Sequence, residues 1–204
     1  MRAVNSSLFY FVRHGETDWN AERRLQGQLD IPLNDVGRLQ SVQNGGTLRG
    51  LIAAGRKAPA HFAFISSPLS RARETMEILR DVLGLPREGY SVDPRLAELS
   101  FGRWEGLTHP EVRALDGLVL VLRDRDKWNF AAPQGESYAQ LLIRVREWQA
   151  SMESDVIVAA HGGVARVLMV LFGVRTPEDA PQGEVEQGVV YEFGRGAMKV
   201  HRMI

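Results

Sequence analysis

The chain has 204 residues, and its 25 Lys and Arg balance 25 Asp and Glu, so the formal net charge is zero. Proteins that bind nucleic acid or anionic membranes through bulk charge carry an excess of basic residues, so we expect neither partner. The sequence contains no cysteine, which excludes a disulfide framework, a thiolate nucleophile and a cysteine-ligated metal. The length suits a single domain over residues 1–204.

The first residues give no sign of a targeting segment. Residues 1–7 carry one charge, and the apolar run that follows has only five residues. A run of this length is too short for a signal peptide or a membrane span. We therefore expect an unprocessed, cytoplasmic protein.

Three apolar runs end at polar or basic residues. They are residues 8–12 before Arg13 and His14, 61–65 before the segment Ser66 to Arg71, and 155–160 before His161. Continuous apolar runs are typical of parallel strands that helices cover on both faces. We therefore predict an α/β protein with three layers, α/β/α, around a mostly parallel central sheet. Ligands of such sheets bind beyond the carboxyl ends of the strands, where the four basic residues would converge.

The spacing of apolar residues predicts where the helices lie in the sequence. The first runs from about residue 35 to about 51 after the N-cap Asn34, although Gly45-Gly46 weakens its middle. A second covers 70–83 and ends at Gly84.

Two later helices and a hairpin complete the predicted elements. Ser137 begins a capping box and a helix with an apolar stripe, and residues 164–172 form a helix that ends at Gly173. The segments 189–193 and 198–203, around the turn 194–196, are typical of a hairpin at the sheet edge.

A fourth segment, residues 95–106, places Glu98 and Glu105 among apolar and aromatic residues. Such surroundings raise the pKa of a carboxyl group, as a general acid near neutral pH requires. The alternative is that the two glutamates pair with Arg95 and Arg103. The segment alone favours that alternative.

The four segments together resemble the histidine phosphatase superfamily, the phosphoglycerate mutase-like proteins. The likeness extends from Phe9 to Phe172 and implies the phosphoglycerate mutase-like fold. The residues that carry it are Arg13-His14-Gly15-Glu16-Thr17 with Asn20, Ser67-Pro68-Leu69-Ser70-Arg71-Ala72 with Glu74-Thr75, Leu96, Glu98, Phe101-Gly102 and Trp104-Glu105-Gly106, and His161-Gly162-Gly163.

The resemblance implies a role for each catalytic residue. His14 would attack phosphorus and become a phosphohistidine, while Arg13, Arg71 and His161 would bind the phosphoryl oxygens. Glu98 would protonate the leaving group and then deprotonate water. Attack requires an unprotonated nitrogen, so we expect the other ring nitrogen of His14 to bind a backbone carbonyl.

The resemblance also implies a set of groups around the phosphate. Asn20 would donate to it, and the loop at Gln26 and Gly27 would line the pocket. Because Gly162 and Gly163 lead into a predicted helix, we also expect their backbone N–H groups to face the anion. Glu105 would be structural.

We expect no metal and no cofactor, because two arginines and two histidines supply the charge that a cation provides in other phosphatases. The remaining histidines, His61 at the start of a strand, His109 and His201, lack metal-ligand spacing and are expected to be structural.

The substrate is expected to be a small phosphorylated metabolite, which a variable lid over about 107–135 would select. The lid carries four cations, namely Arg113, Arg123, Arg125 and Lys127. The alternating charges of 123–127 are typical of a solvated helix. A cation that turned inward would instead hold a carboxylate or a second phosphate.

Three functions remain open at this point. The length and residues 98–102 favour a phosphatase, a phosphoglycerate mutase is the alternative, and a silent phospholigand-binding protein is a third reading. Residues 186–188 depart from the family, in which many members place an asparagine there, and we expect this to alter only a loop. The C-terminal edge hairpin leaves a homodimer open.

Overall fold

The computed structural model describes residues 8–194 and 196–203, and a six-stranded mixed sheet lies at its centre. The strands are β1 (Phe9–Arg13), β2 (Ala63–Ser66), β3 (Ser91–Val92), β4 (Val156–Ala160), β5 (Val190–Gly194) and β6 (Ala197–His201). Their order is β3-β2-β4-β1-β5-β6. The first four are mutually parallel, and β5 and β6 are antiparallel to their neighbours. The mostly parallel sheet and the C-terminal hairpin are therefore confirmed.

Six α-helices accompany the sheet in the described part of the chain. They are α1 (Asp18–Ala21), α2 (Asp35–Ala54), α3 (Ser70–Val82), α4 (His109–Arg125), α5 (Tyr138–Ala150) and α6 (Gly162–Leu171). The predicted caps are present: Asn34 accepts from the N–H of Gly37, and Ser137 forms a capping box with Gln140. The expectations about residues 1–7 and Arg195 lie outside the described residues.

Strand β1 shows why the apolar runs do not alternate. Phe9 and Phe11 belong to the core cluster that includes side chains of α5 and α6, whereas Tyr10 and Val12 belong to the cluster that includes side chains of α2 and α3. Both faces of the sheet are thus covered by helices, so both sets of side chains are apolar. The three-layer α/β/α architecture is confirmed.

Helix α2 continues through Gly45-Gly46 because the helices approach closely there. A Cβ atom at position 45 would lie 2.7 Å from the Cβ of Val82 on α3. Only glycine leaves room for this contact, and packing between α2 and α3 outweighs the low helix propensity of glycine.

Helix α4 lies within the predicted lid. It kinks at Asp116, whose φ of −133° and ψ of 41° are not helical. The indole N–H of Trp104 donates to the carboxylate of Asp116 at 2.7 Å. Trp104 also forms a small apolar cluster with Val112, Leu120 and Ala132, separate from the two clusters on the sheet.

One expectation about local structure is corrected. His61 does not begin a strand: it closes a one-turn 3-10 helix, Pro59–His61, and β2 starts at Ala63. Proline fixes φ and has no N–H to donate, which suits the first position of a helical turn.

Among the described residues, no helix combines the length and the apolar character that crossing a bilayer requires.

Candidate active site

Three neighbouring parallel strands bring the basic residues to one edge of the sheet. The N–H of His14, after β1, donates to the carbonyl of Ala160 at 2.9 Å, and the N–H of Ser67, after β2, donates to Ala159 at 3.0 Å. Strand β4 lies between them and leads into His161. The sequence-predicted convergence follows from this register.

His14 is held as a neutral imidazole with a free lone pair. Its side chain is only 3% exposed, and Nδ1 lies 2.7 Å from the carbonyl oxygen of Gly15. A carbonyl only accepts hydrogen bonds, so Nδ1 carries the proton and Nε2 carries the lone pair. The hydrogen bond expected from the sequence is confirmed.

Burial sets the protonation state of both site histidines. It lowers the pKa of His14 well below its ordinary value, and the positive charges of Arg71 and Arg13 lower that pKa further. Burial and Arg71 lower the pKa of His161 in the same direction. The centroids of the two rings are 5.1 Å apart. Both rings are therefore neutral at neutral pH.

Each site arginine is fixed through its terminal nitrogens. Nη1 of Arg13 donates to the carbonyl of Val185 at 2.6 Å. Nη1 and Nη2 of Arg71 donate to the carbonyls of Leu29 and Gly27, both at 2.8 Å. Arg71 is fully buried, so its planar guanidinium is held in one orientation.

Three buried nitrogens of these residues have no hydrogen-bond partner among the described residues. They are Nε of Arg13, Nε of Arg71 and Nδ1 of His161, whose Nε2 lies 2.6 Å from the hydroxyl of Ser67. A buried polar group without a partner costs about 1–3 kcal/mol. An anion that accepts from these nitrogens removes that cost, so the arrangement suits a phosphoryl group.

Glu98 lies at the amino end of helix α6. The N–H of Gly163 donates to its two carboxylate oxygens at 3.0 and 3.2 Å, and the N–H of Leu99 donates to Oε1 at 2.8 Å. A Cβ atom at position 163 would lie 2.3 Å from that carboxylate, so the contact requires glycine. Burial lowers the pKa of Arg13 and of Arg71, and the negative charge of Glu98 raises both pKa values in the opposite direction.

The interpretation of Glu98 and Glu105 as ion-pair partners of nearby arginines is wrong. Arg95 pairs with Asp93 at 2.6 Å, and among the described residues neither glutamate forms an ion pair. Oε1 of Glu105 instead accepts from the N–H groups of Gln28 and Phe101 at 3.1 and 3.0 Å. Glu105 therefore connects the loop at Gln28 to the segment at Phe101 through hydrogen bonds.

The other residues that the sequence assigns to the pocket differ in their surroundings. The side chain of Gln26 is 7% exposed, and its Oε1 has no partner among the described residues. Gly27 has a φ of +53°, and a Cβ atom there would lie 2.0 Å from the carboxylate of Glu105. Gly162 is the first residue of α6, and a Cβ atom there would lie 3.7 Å from Nε of Arg13. The expectation that the N–H of Gly163 faces an anion is wrong, because that N–H donates to Glu98.

Gln187 belongs to the site, although the sequence placed it only in a variable loop. Its Nε2 donates to the carbonyl of His14 and to Oδ1 of Asn20, each at 3.1 Å. Oδ1 of Asn20 also accepts from the N–H of Thr17 at 3.2 Å. The amide oxygen of Asn20 is thus engaged with protein donors, which leaves its NH₂ group to donate to a ligand. The sequence showed only that residues 186–188 depart from the family pattern, and this departure did not predict the contacts of Gln187.

Of the four lid cations, Arg123 alone is buried. Its side chain is 8% exposed and lies over the ring of Phe101 at 5.7 Å. Arg113 and Arg125 are exposed, and Lys127 lies 3.2 Å from the amide oxygen of Gln182. The reading of a solvated helix therefore fits Arg125 and does not fit Arg123.

The other histidines lie apart from this site. Nε2 of His201 lies 2.8 Å from Glu192, His61 lies 3.5 Å from Asp155, and His109 is exposed at the start of α4. Within the described residues, no three His, Cys, Asp or Glu side chains form a metal-binding cluster.

Comparison with known proteins assigns the family. The profile of the histidine phosphatase superfamily (branch 1) matches residues 9–201. The glucosyl-3-phosphoglycerate phosphatase of Mycolicibacterium vanbaalenii is 36% identical over 177 residues, which cover 80% of this chain and 73% of that protein. The 2,3-bisphosphoglycerate-dependent phosphoglycerate mutase of Beijerinckia indica is 31% identical over 189 residues, which cover 89% of this chain and 88% of that protein.

A solved structure agrees with this assignment. The native structure of a mycobacterial glucosyl-3-phosphoglycerate phosphatase matches with a TM-score of 0.75 at 29% identity, over 91% of this chain and 89% of that one. The chain therefore belongs to the histidine phosphatase superfamily. Enzymes of this superfamily act on small phosphorylated metabolites through a phosphohistidine.

Proposed function

We propose that the protein hydrolyses phosphomonoesters with His14 as the nucleophile. Nε2 of His14 forms a bond to phosphorus as the ester P–O bond breaks. Arg13, Arg71 and His161 stabilise the charge on the transferring phosphoryl group. The observation that carries the proposal is the set of three buried, unpartnered nitrogens beside a neutral imidazole.

Four further residues complete the proposed phosphate site. Asn20 donates through its NH₂ group, and Gly162 donates through its backbone N–H at the positive end of α6. Gln26 and Gly27 form the loop that borders the phosphate. We propose no metal and no cofactor for this chemistry.

Glu98 is the proposed acid and base. In the first step it gives its proton to the leaving oxygen, and in the second it takes a proton from the water that attacks phosphohistidine. Its carboxyl group lies at the amino end of α6, beside Gly162 of the proposed phosphate site, and this position supports the role.

The leaving group tests the role of Glu98. p-Nitrophenolate is stable as an anion and leaves without a proton, whereas an alkoxide requires one. Glu98→Gln should therefore lower kcat/KM for an alkyl phosphate by about a hundredfold or more, the range of general acid catalysis, and that for p-nitrophenyl phosphate far less. Equal losses on both substrates would assign the acid to another residue.

The substrate is proposed to carry a second anionic group. Arg123 is a buried lid cation, and the names of both similar proteins contain a phosphoglycerate, which has a carboxylate. Arg123→Gln should raise KM for 3-phosphoglycerate and leave KM for p-nitrophenyl phosphate nearly unchanged. The exposed Arg125→Gln is the matched control. Equal effects on the two substrates would exclude Arg123 from substrate selection.

Phosphoglycerate mutase is the alternative function, because a mutase is 31% identical to this chain. The products of 3-phosphoglycerate distinguish the two. The assay includes 2,3-bisphosphoglycerate, on which the similar mutase depends, to supply the first phosphoryl group to the enzyme. Inorganic phosphate released from 3-phosphoglycerate then identifies a phosphatase, and 2-phosphoglycerate formed without loss of phosphate identifies a mutase. Failure to label His14 with phosphate would instead favour a silent phospholigand-binding protein.

The remaining proposals concern organisation and location. We propose one domain over 1–204 with a variable lid over 107–135, which the separate apolar cluster around Trp104 supports. The zero net charge supports the absence of nucleic-acid partners, and the absence of cysteine supports a cytoplasmic location. Strand β6 has one neighbour in the sheet, which supports a homodimer through its outer edge. Light scattering should then give twice the 22.8 kDa chain mass, and a monomeric mass would reject the dimer.

A further inference from the structure

The guanidinium of Arg144 on helix α5 makes three hydrogen bonds to the segment that carries Glu98 and two to Glu136. Nε and Nη2 hold the carboxylate of Glu136 at 2.9 and 2.8 Å. Nη1 donates to the carbonyls of Arg95 and Ala97 at 2.6 and 2.7 Å, and Nη2 donates to the carbonyl of Glu98 at 3.1 Å. A guanidinium offers five N–H donors in one rigid plane, so this side chain fixes three carbonyls relative to one another.

Glu136 strengthens this arrangement from the other side. Its carboxylate sets the plane of the Arg144 guanidinium, and its backbone N–H donates to the carbonyl of Ser100 at 2.9 Å. The ion pair is only 20% and 19% exposed. The segment 95–100 is therefore bonded to one partly buried ion pair on both sides of Glu98.

The Glu98 carboxylate depends on this backbone for its position. The carboxylate oxygens accept from the N–H of Gly163 on α6, while the Glu98 carbonyl accepts from Arg144. A shift of the carbonyl thus moves the carboxylate relative to the nucleophile. Misplacement of a reacting group by about 1 Å costs on the order of a hundredfold in rate.

We propose that Arg144, oriented by Glu136, is a positioning residue for the acid and base Glu98. It holds the carboxyl group where one oxygen meets the leaving group in the first step and water in the second. The inference rests on the proposed role of Glu98. In the first step the His14 N–P bond forms, the ester P–O bond breaks, and the Glu98 proton passes to the departing oxygen.

The test compares two substrates of Arg144→Lys. We expect kcat/KM for 3-phosphoglycerate to fall about tenfold or more, by loss of part of the general acid contribution. We expect kcat/KM for p-nitrophenyl phosphate to change by less than about threefold, because phosphoryl transfer from this ester needs no acid. The second step still needs Glu98 as base, so the variant should release a burst of p-nitrophenolate and accumulate phosphoenzyme.

A purely structural role predicts a different result. Both substrates would then lose activity equally, in proportion to the unfolded fraction measured by urea titration, and no burst would appear. Arg146→Lys is the matched control, because this exposed arginine is on the same helix. If Arg144→Lys does not fold, Glu136→Gln preserves the arginine and should shift the substrate ratio in the same direction.

The variant Glu98→Gln separates the two hypotheses. If Glu98→Gln does not discriminate between the substrates, the proposed role of Glu98 fails, and the positioning role fails with it. If Glu98→Gln discriminates and both Arg144→Lys and Glu136→Gln do not, the positioning role alone is overturned.

Discussion

The two neutral histidines of the site should make folding stability depend on pH. Burial lowers the pKa of His14 and His161 well below the ordinary value of 6.5. Below about pH 6.5 the unfolded chain therefore binds protons that the folded chain does not, and stability falls as the pH decreases. Above that pH both states are neutral and this stability is fully retained.

The size of the effect follows from the unfolded pKa. At about pH 5 the unfolded state gains about 2 kcal/mol for each histidine that stays neutral in the fold, so the pair costs up to about 4 kcal/mol. That is a large share of the roughly 5–15 kcal/mol that stabilises a typical domain.

Urea unfolding at about pH 7.5 and about pH 5 measures this loss. The double variant His14→Gln with His161→Gln should lose less stability between the two pH values than the wild type, by up to about 4 kcal/mol. The exposed His109→Gln should behave like the wild type. An unchanged pH dependence in the double variant would refute the neutral state of the two rings in the fold.

Two other variants test single contacts. Gln187→Leu removes the donor to His14 and Asn20, so we expect kcat/KM to fall about tenfold, with weaker inhibition by inorganic phosphate; unchanged kinetics would contradict a role in the site. Asn44 is fully buried, and its Oδ1 and Nδ2 have no partner among the described residues. Asn44→Leu should raise the free energy of unfolding by about 1–3 kcal/mol and Tm by about 2–12 °C, whereas a lower Tm would show that the amide is satisfied.

The core of the fold was predictable because its pattern is local. Continuous apolar runs indicated β1, β2 and β4, and the caps Asn34 and Ser137 located the starts of two helices. Strand β3 was missed because it has only two residues, both exposed. The continuity of α2 through Gly45 depends on a contact with α3, and no local pattern reports such a contact.

The site also contains residues that local patterns predict and residues that depend on distant contacts. Residues at strand ends were predictable, because the sheet brings Arg13, His14 and His161 together wherever strands are parallel. Gln187 and Arg144 were not, because they act through bonds to backbone carbonyls far away in sequence. A carbonyl has no residue-type preference, so the sequence carries no motif for such partners.

The central claim is that His14 carries the phosphoryl group during turnover. A rapid-quench experiment with labelled phosphomonoester tests it most directly, by trapping the protein within one turnover and locating the label. We predict an acid-labile phosphoenzyme labelled on His14, formed before free phosphate and absent from His14→Ala. Turnover without a labelled intermediate, or label on another residue, would contradict the account.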